Sequence, residues 1–495
     1  MKNISLINGI DLRAPAFRPL WEGKSSFNRS LEFGQALPGV SETVVFLSKP
    51  ADMPEGVRSI VRSSWTVAEL LSEMTTAAEG CDTIFYFFAD CPFLDSEIAA
   101  RMHANHVRYW ADYTFADGYP YGITPELLTC ESLKRLRGMA DEAVALRRDM
   151  LFTVLKKDIN SFDIETEISP HDMRLMRLSL TADSERNFML LSRIVAGGVR
   201  DAQGACALLR ENQKVHRTLP AFFPVQIVER CPQACTYCPY PLIGGNILEK
   251  TGSMPLESFS RLVTKIANFA GDAVVDISLW GEPALHPRIY EMILAALDVP
   301  GIELVIETSG IGWESGIFPR IKSAREKQPR WIVSLDASNE TAYRKLRGEG
   351  FAAASKTAEE LLGVFPGRTW VQAVRMKENE DDLEIFFRAW KARTENVIIQ
   401  KYDAFSGALP DRKVADLSPL KRFTCWHLKR DMAILLDGTV PLCKEDIRGS
   451  MKLGNALEDD LSAIWESARG IHRSHLSGDY PGICAACDEY YTYNF

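Results

Sequence analysis

Through about residue 200, short apolar runs alternate with amphipathic stretches of helical period. ETVVFLSK at 42–49 reads as a strand, TVAELLSEMTTAAEG at 66–80 as a helix stopped by Gly80, and TIFYFFAD at 83–90 as a buried strand. This alternation predicts an α/β domain with a largely parallel sheet. The polar stretch 210–217 reads as a connector. A second series begins at Phe222, where FFPVQIVE predicts a strand and 254–271 an amphipathic helix. Further strands are predicted at 273–281, 303–310, 331–338 and 370–376, separated by helix-length segments. Repeated β–α units of this length predict a complete or partial (β/α) barrel. From about Phe423 the pattern changes to short strands with an Asp437–Gly438 turn. The expected boundaries are therefore 1–215, 216–420 and 421–495.

At 495 residues, with 46% hydrophobic and 25% charged residues, the chain can build packed cores throughout. The net charge of −9 argues against general nucleic-acid binding. Apolar runs such as 83–89 are too short to span a bilayer, and MKNISLINGIDLRAP lacks the apolar core of a secretory signal. The expectation is a cytoplasmic protein with no membrane partner.

The cysteines change this picture most. Eleven is an odd number, so a complete disulfide framework fits poorly. Cys81, Cys91, Cys130 and Cys206 are scattered and read as small buried hydrophobes. The other seven form two groups, one of Cys231, Cys235 and Cys238, the other of Cys425, Cys443, Cys484 and Cys487. The first group follows a predicted strand, where a barrel carries its site. Three thiolates can hold three irons of a 4Fe–4S cube and leave the fourth open. A zinc loop short of one ligand, or three unconnected thiols, fits the spacing as well.

The surrounding segments add a resemblance. CPQACTYCPY resembles the signature of the radical SAM superfamily, with Tyr237 before the last cysteine. LWGEP at 279–283 resembles that family's glycine–glycine–glutamate segment, with Trp280 in place of the first glycine. ETSG at 307–310 and SLDAS at 334–338 are similar to its later strand ends. The resemblance implies a 4Fe–4S cluster on Cys231, Cys235 and Cys238. It would chelate S-adenosylmethionine and split it by one electron to a 5′-deoxyadenosyl radical that abstracts a substrate hydrogen. It also implies Tyr237, Gly281, Glu282, Ser309 and Ser334 as cofactor-binding residues, with Gly281 and Glu282 at the methionine amino group. Read without it, 281–283 is a strand-to-helix turn and the two serines are turn or cap residues.

CWHLKRDMAILLDGTVPLC, followed by LGNALEDDLSAIWES, resembles a SPASM domain, an auxiliary-cluster module. The fuller SPASM pattern has seven cysteines for two clusters. The four here, Cys425, Cys443, Cys484 and Cys487, imply one auxiliary 4Fe–4S cluster, although four thiolates also make a structural zinc site. Asp446, beside them, reads as a solvated acid.

LINGIDLRAPAFRPLWEGKS at 6–25 resembles the opening of sugar nucleotidyltransferases, with Gly9, Arg13, Gly23 and Lys24 matching. Asp11 replaces a glycine, which would point a carboxylate at phosphates. FADCPFLD is similar to that family's metal-binding segment, implying Mg2+ at Asp90, and Thr181 replaces an expected aspartate. Asp90 reads equally as the cap of a helix starting near Asp95. The expectation is a Rossmann-like, nucleotidyltransferase-like fold serving as a degenerate scaffold. The whole order resembles the spiro-SPASM proteins.

Together these readings predict a radical SAM enzyme of oxidoreductase or maturase type. Its expected partners are S-adenosylmethionine, a peptide or nucleotide-linked sugar, and an electron donor such as flavodoxin or ferredoxin. An active nucleotidyltransferase fused to a radical SAM module, or a non-enzymatic electron carrier, are the alternatives. The second explains the cysteines but not LWGEP, ETSG and SLDAS. No catalytic side chain is assigned.

Overall fold

β1 (Asn3–Gly9) is buried along its whole length, and its polar side chains are hydrogen-bonded inside: Asn3 donates to the Pro38 carbonyl at 2.7 Å, Ser5 to that of Gly34 at 2.7 Å and Asn8 to the Tyr86 hydroxyl at 2.8 Å. Residues on its two faces enter different cores: Ile7 packs with Val45, Phe85 and Phe87, while Ile4 and Leu6 pack with Val44, Phe46 and Tyr86. The computed structural model describes residues 2–141, 145–244 and 249–492. The chain divides into two units, Met1–Thr218 and Leu219–Phe495.

In the first unit, β1 lies between β2 (Val40–Leu47) and β4 (Thr83–Phe88), both parallel to it, and β3 (Val57–Val61) continues beyond β2. β5 (Tyr113–Asp117), β6 (Glu126–Thr129) and β7 (Ile164–Ile168) complete a seven-stranded sheet ordered β3–β2–β1–β4–β6–β5–β7. β6 runs antiparallel to both neighbours, so the sheet is mixed on one side. The alternating pattern expects a largely parallel sheet; it signals buried strands but not the direction of a four-residue one. The helix expected at 66–80 spans Val67–Ala77, with a capping box between Thr66 and Glu69. The stretch 210–217 takes in the end of the helix Ala202–Glu211 and a turn of 3-10 helix at Gln213–His216, and the division between the units follows it at Thr218.

In the second unit, β8 (Phe222–Pro224), β9 (Ala273–Asp276), β10 (Ile302–Thr308), β11 (Arg330–Ser334), β12 (Thr369–Arg375) and β13 (Val397–Lys401) form an all-parallel sheet in sequence order. A six-stranded parallel sheet of successive β–α units is a partial barrel. Trp331 on β11 anchors the packing beneath it, with no exposure and edge-on contacts to Phe318 and Trp313 at 5.3 Å. β8 is shorter than the run FFPVQIVE suggests, since pairing leaves β9 after Pro224. Beyond it, residues 430–434 run along its other side, with Met432 N–H donating to the Phe222 carbonyl at 3.0 Å and Ile434 N–H to that of Pro224 at 2.8 Å. This edge contact ties the chain around Cys425 and Cys443 to the strand that leads into the first cysteine loop. β14 (Thr439–Val440) and β15 (Gly454–Asn455) form the hairpin beyond Gly438. Among the described residues, no helix is long and apolar enough to cross a membrane.

Burial pushes the Glu126 carboxyl up to about 7 from its ordinary 4.5, although the Tyr113 hydroxyl donates to it at 2.7 Å. The folded chain therefore holds a proton that the unfolded chain releases. Stability from this group is full below about pH 4.5 and is lost as pH rises through about 7. Glu126→Gln should flatten that slope in urea unfolding of the first unit followed from about pH 5 to pH 8. An unchanged slope would contradict the assignment.

Candidate active site

The strands of the second unit deliver their C-terminal ends to one cavity of about 280 Å³. Cys231, Cys235 and Cys238 line it, together with Tyr237, Gly281, Glu282, Ser309 and Ser334. All seven cysteines of the two groups are free thiols. Burial pushes the Cys231 thiol up to about 12 and raises Cys235 and Cys238 also, and the neighbouring cysteines add to the effect at Cys231 and Cys238. Three partly buried thiols, whose thiolate forms would repel one another, fit a soft, positively charged metal centre, which displaces their protons on binding.

The loop that presents them is fixed by polar contacts rather than by strand pairing. Cys238 N–H donates to the Cys235 carbonyl at 3.1 Å, closing a tight turn. Gln233 donates to the Tyr343 hydroxyl at 2.7 Å and accepts from Arg347 Nη2 at 2.9 Å. The Tyr237 hydroxyl donates to Asp336, and Arg347 pairs with the same carboxylate at 2.5 Å. Asp336 sits at φ +64° just past β11, and its other oxygen accepts from Val374 N–H at 2.7 Å. The sequence assigns no role to either residue of this pair: Asp336 lies within SLDAS, and Arg347 stands nine residues beyond it, at the end of the helix Glu340–Arg347.

Glu282 is buried and fully committed. Its Oε1 accepts from the Thr308 hydroxyl at 2.6 Å and from Ala284 N–H at 3.2 Å, and its Oε2 from Ser309 N–H at 2.7 Å. It thus binds the LWGEP turn to the end of β10. Gly281, at φ +85°, has the Val228 carbonyl oxygen 2.2 Å from where a Cβ would stand. Only glycine fits there. Trp280, in the place of the expected glycine, stacks on Tyr240 at 5.9 Å and meets Phe405 at 5.7 Å, forming a cavity wall. Ser309 Oγ accepts from Ile311 N–H at 3.3 Å, a turn contact, and Ser334 donates to Glu307 at 2.8 Å. Both serines still border the cavity.

The floor carries two carboxylates that the sequence reading passed over, Asp276 on β9 and Glu307 on β10. Their donors are neutral: Ser278 N–H for Asp276 at 3.0 Å, Ser334 and Gln372 for Glu307 at 2.8 Å each. Burial, then Glu307, pushes Asp276 up to about 7. Lys401 and Lys444 border the same cavity but are already paired, Lys401 with Glu489 and with Asp488 at 3.4 Å, Lys444 with Asp403 at 3.2 Å and Glu445 at 3.4 Å. The close group of Asp403, Asp488 and Glu489 is thereby laced with lysines.

Cys425, Cys443, Cys484 and Cys487 line a second, smaller pocket with Leu428, Leu442 and His475. Burial pushes Cys425 up to about 12 and raises the other three, and Glu489 N–H donates to the Cys487 sulfur at 3.3 Å. Four thiols around one pocket close a metal site completely. Asp446 is not the solvated acid its position suggests. It is buried, accepting from Ser450 N–H at 2.9 Å and Met451 N–H at 2.8 Å, and so holds the turn after Cys443.

The model of the radical SAM superfamily matches residues 225–389, and that of the SPASM iron–sulfur cluster-binding domain matches residues 425–488. The chain belongs to the radical SAM superfamily. It is a radical SAM enzyme that uses S-adenosylmethionine and iron–sulfur clusters, one of them auxiliary. An uncharacterized protein of Treponema pallidum (strain Nichols) is 38% identical over 358 residues, 70% of this chain and 98% of that protein. Among solved structures, Streptococcus suis SuiB bound to S-adenosylmethionine is similar at 17% identity over 53% of this chain and 70% of that one, with a TM-score of 0.43. A cytidylyltransferase from Leptospira borgpetersenii is similar at 16% identity over 43% of this chain and 96% of that one, with a TM-score of 0.37.

In the first unit, the residues matched to a nucleotide-binding loop are held by the chain itself. Lys24 pairs with Glu32 at 2.7 Å, and Asp11, at φ +60°, accepts from the Ser48 hydroxyl at 3.2 Å. Gly9 ends β1, and Gly23, at φ +72°, turns a short hairpin. Asp90 is not a helix cap, since Asp95 accepts from Ile98 N–H at 2.8 Å in that role.

Gly281→Ala forces a Cβ against backbone at a left-handed φ, costing about 1–3 kcal/mol in conformation before the clash is counted. The expected outcome is a lower thermal midpoint for the second unit together with weaker S-adenosylmethionine binding. An unchanged midpoint would contradict this packing.

Proposed function

We propose that Cys231, Cys235 and Cys238 hold the cluster that binds S-adenosylmethionine, that Cys425, Cys443, Cys484 and Cys487 hold the auxiliary cluster, and that the substrate is a peptide. The observation that carries this reading is the partition of seven free thiols into two pockets, three in a roomy cavity and four in a closed one. The first cluster, when bound, supplies an open iron for the cofactor's amino and carboxylate groups and the electron that cleaves it to methionine and a 5′-deoxyadenosyl radical. The chain's own residues orient and shield. Glu282 and Gly281 shape the turn beside the thiols, Arg347 and Tyr237 hold the thiol loop, and Trp280, Tyr240 and Phe405 wall the cavity against water.

Charge separates the two substrate classes. A nucleotide-linked sugar brings one or two phosphate charges toward a floor of two carboxylates with neutral partners, which share at least one negative charge near pH 7, and like charges repel in a low-dielectric cavity. The lysines at the rim offer little relief, because carboxylates already engage them. A peptide side chain bearing an ammonium or guanidinium group gains from the same floor. An electron donor such as flavodoxin or ferredoxin would supply the single electron that cofactor cleavage consumes.

In an anaerobic assay with dithionite and S-adenosylmethionine, lysine- or arginine-containing peptides should raise 5′-deoxyadenosine formation above the basal rate, and nucleotide-linked sugars should not. Acceleration by a nucleotide-linked sugar would overturn the peptide assignment. Cys484→Ala combined with Cys487→Ala, shown to be folded, should keep basal 5′-deoxyadenosine formation but lose peptide product. Product at the parent rate would make the second site structural only.

A further inference from the structure

Asp90, at the end of β4, is a buried acid, with 3% of its surface exposed. Resemblance to the nucleotidyltransferases implies Mg2+ at this residue, and the donors around it decide whether the ion fits. Arg148 Nη1 donates to Asp90 Oδ1 at 3.1 Å, and Arg148 Nη2 donates to Oδ2 of the same carboxylate. The same Nη2 reaches Asp183 Oδ2 at 3.0 Å. The remaining oxygen, Asp183 Oδ1, accepts from Asn187 Nδ2 at 2.8 Å. All four carboxylate oxygens are therefore taken by donors of this chain. Mg2+ requires oxygen ligands at about 2.0–2.1 Å in a near-octahedral shell, and the space between these two carboxylates that it would need is held by the Arg148 guanidinium, whose Nη2 bridges them. The residues do not fit the ion.

The arginine is itself held in place. Its guanidinium lies 4.8 Å from the centre of the Phe88 ring and 5.3 Å from that of Tyr121, a packing that favours a planar cation. A bidentate contact to Asp90 adds fixed geometry to the charge attraction.

We propose that Arg148 is the resident cation of this site, a covalently tethered guanidinium standing between Asp90 and Asp183 where a divalent ion would otherwise bind, so that this pair of carboxylates holds no metal. The charge balance has a consequence. Two carboxylates and one guanidinium leave a net charge of about −1, whereas a bound divalent ion would bring it to zero and offer open positions to phosphate oxygens. The site repels a nucleoside triphosphate rather than gathering it. Lys24, engaged by Glu32, supplies no free compensating charge. The unit is thus suited to a scaffold or to a ligand without phosphates, and not to metal-dependent nucleotidyl transfer.

Manganese titration tests this, with the six-line EPR signal of free Mn2+ as the readout and the anaerobically purified full chain as the sample. The parent chain and Asp90→Asn should bind the same amount of Mn2+ at millimolar concentration. Arg148→Met keeps the bulk that packs against Phe88 and Tyr121 but removes the cation. It should gain one bound Mn2+ per chain, and the gain should vanish in Arg148→Met combined with Asp90→Asn. An Asp90-dependent manganese ion in the parent chain would overturn the proposal, and so would a folded Arg148→Met chain that gains none. Should Arg148→Met not fold, the comparison of parent with Asp90→Asn still decides the question.

Discussion

Asp336 and Arg347 are almost wholly withdrawn from solvent, and a buried charge that loses its partner costs about 3–5 kcal/mol. Their pairing therefore fixes more than two side chains. Through Arg347 it fixes Gln233, and through the shared carboxylate it fixes Tyr237, so both ends of the first cysteine loop hang from it. Through Val374 N–H it also locks the end of β11 to β12. The loop has no strand pairing of its own and must present three thiols at defined positions before any metal arrives. The ion pair gives it a rigid base on the barrel, the condition under which a metal site keeps its geometry.

Carboxylates serve three different ends in this chain, and their partners separate them. Glu282 and Asp446 accept backbone N–H groups and hold turns beside the cysteines. Asp336 and Asp90 are paired with buried or half-buried arginines and act as anchors. Asp276 and Glu307 have only neutral donors and face open space in the cavity. The last pair is what a substrate would meet. Residue type alone does not distinguish these roles; the partner does.

Much of the radical SAM half was legible because its signals are local. Three cysteines within eight residues, LWGEP, ETSG and SLDAS each sit at a strand end, and the apolar runs before them mark the strands. The last barrel strand, Val397–Lys401, escaped notice because five residues ending in Gln–Lys give too little apolar signal. What the sequence hid is what depends on distant partners. Arg347 meets Gln233 across 114 positions, and Arg148 meets Asp90 across 58. Nothing in the text around Arg148 marks it as different from its neighbour Arg147. Likewise Asp446 looks exposed among polar neighbours, and only the turn that folds over it removes it from water. Trp280 shows the reverse case: its mismatch to the family's glycine was visible, and its use as a cavity wall was not.

The central claim is that seven thiols serve two separate iron–sulfur clusters. Iron, sulfide and zinc analysis of anaerobically purified protein, joined to Mössbauer spectroscopy, tests it most directly. The account predicts about eight irons per chain in two cubes. Replacing Cys231, Cys235 and Cys238 by alanine should leave about four, and replacing Cys425, Cys443, Cys484 and Cys487 should leave the other four. About four irons beside one stoichiometric zinc in the parent protein would contradict it.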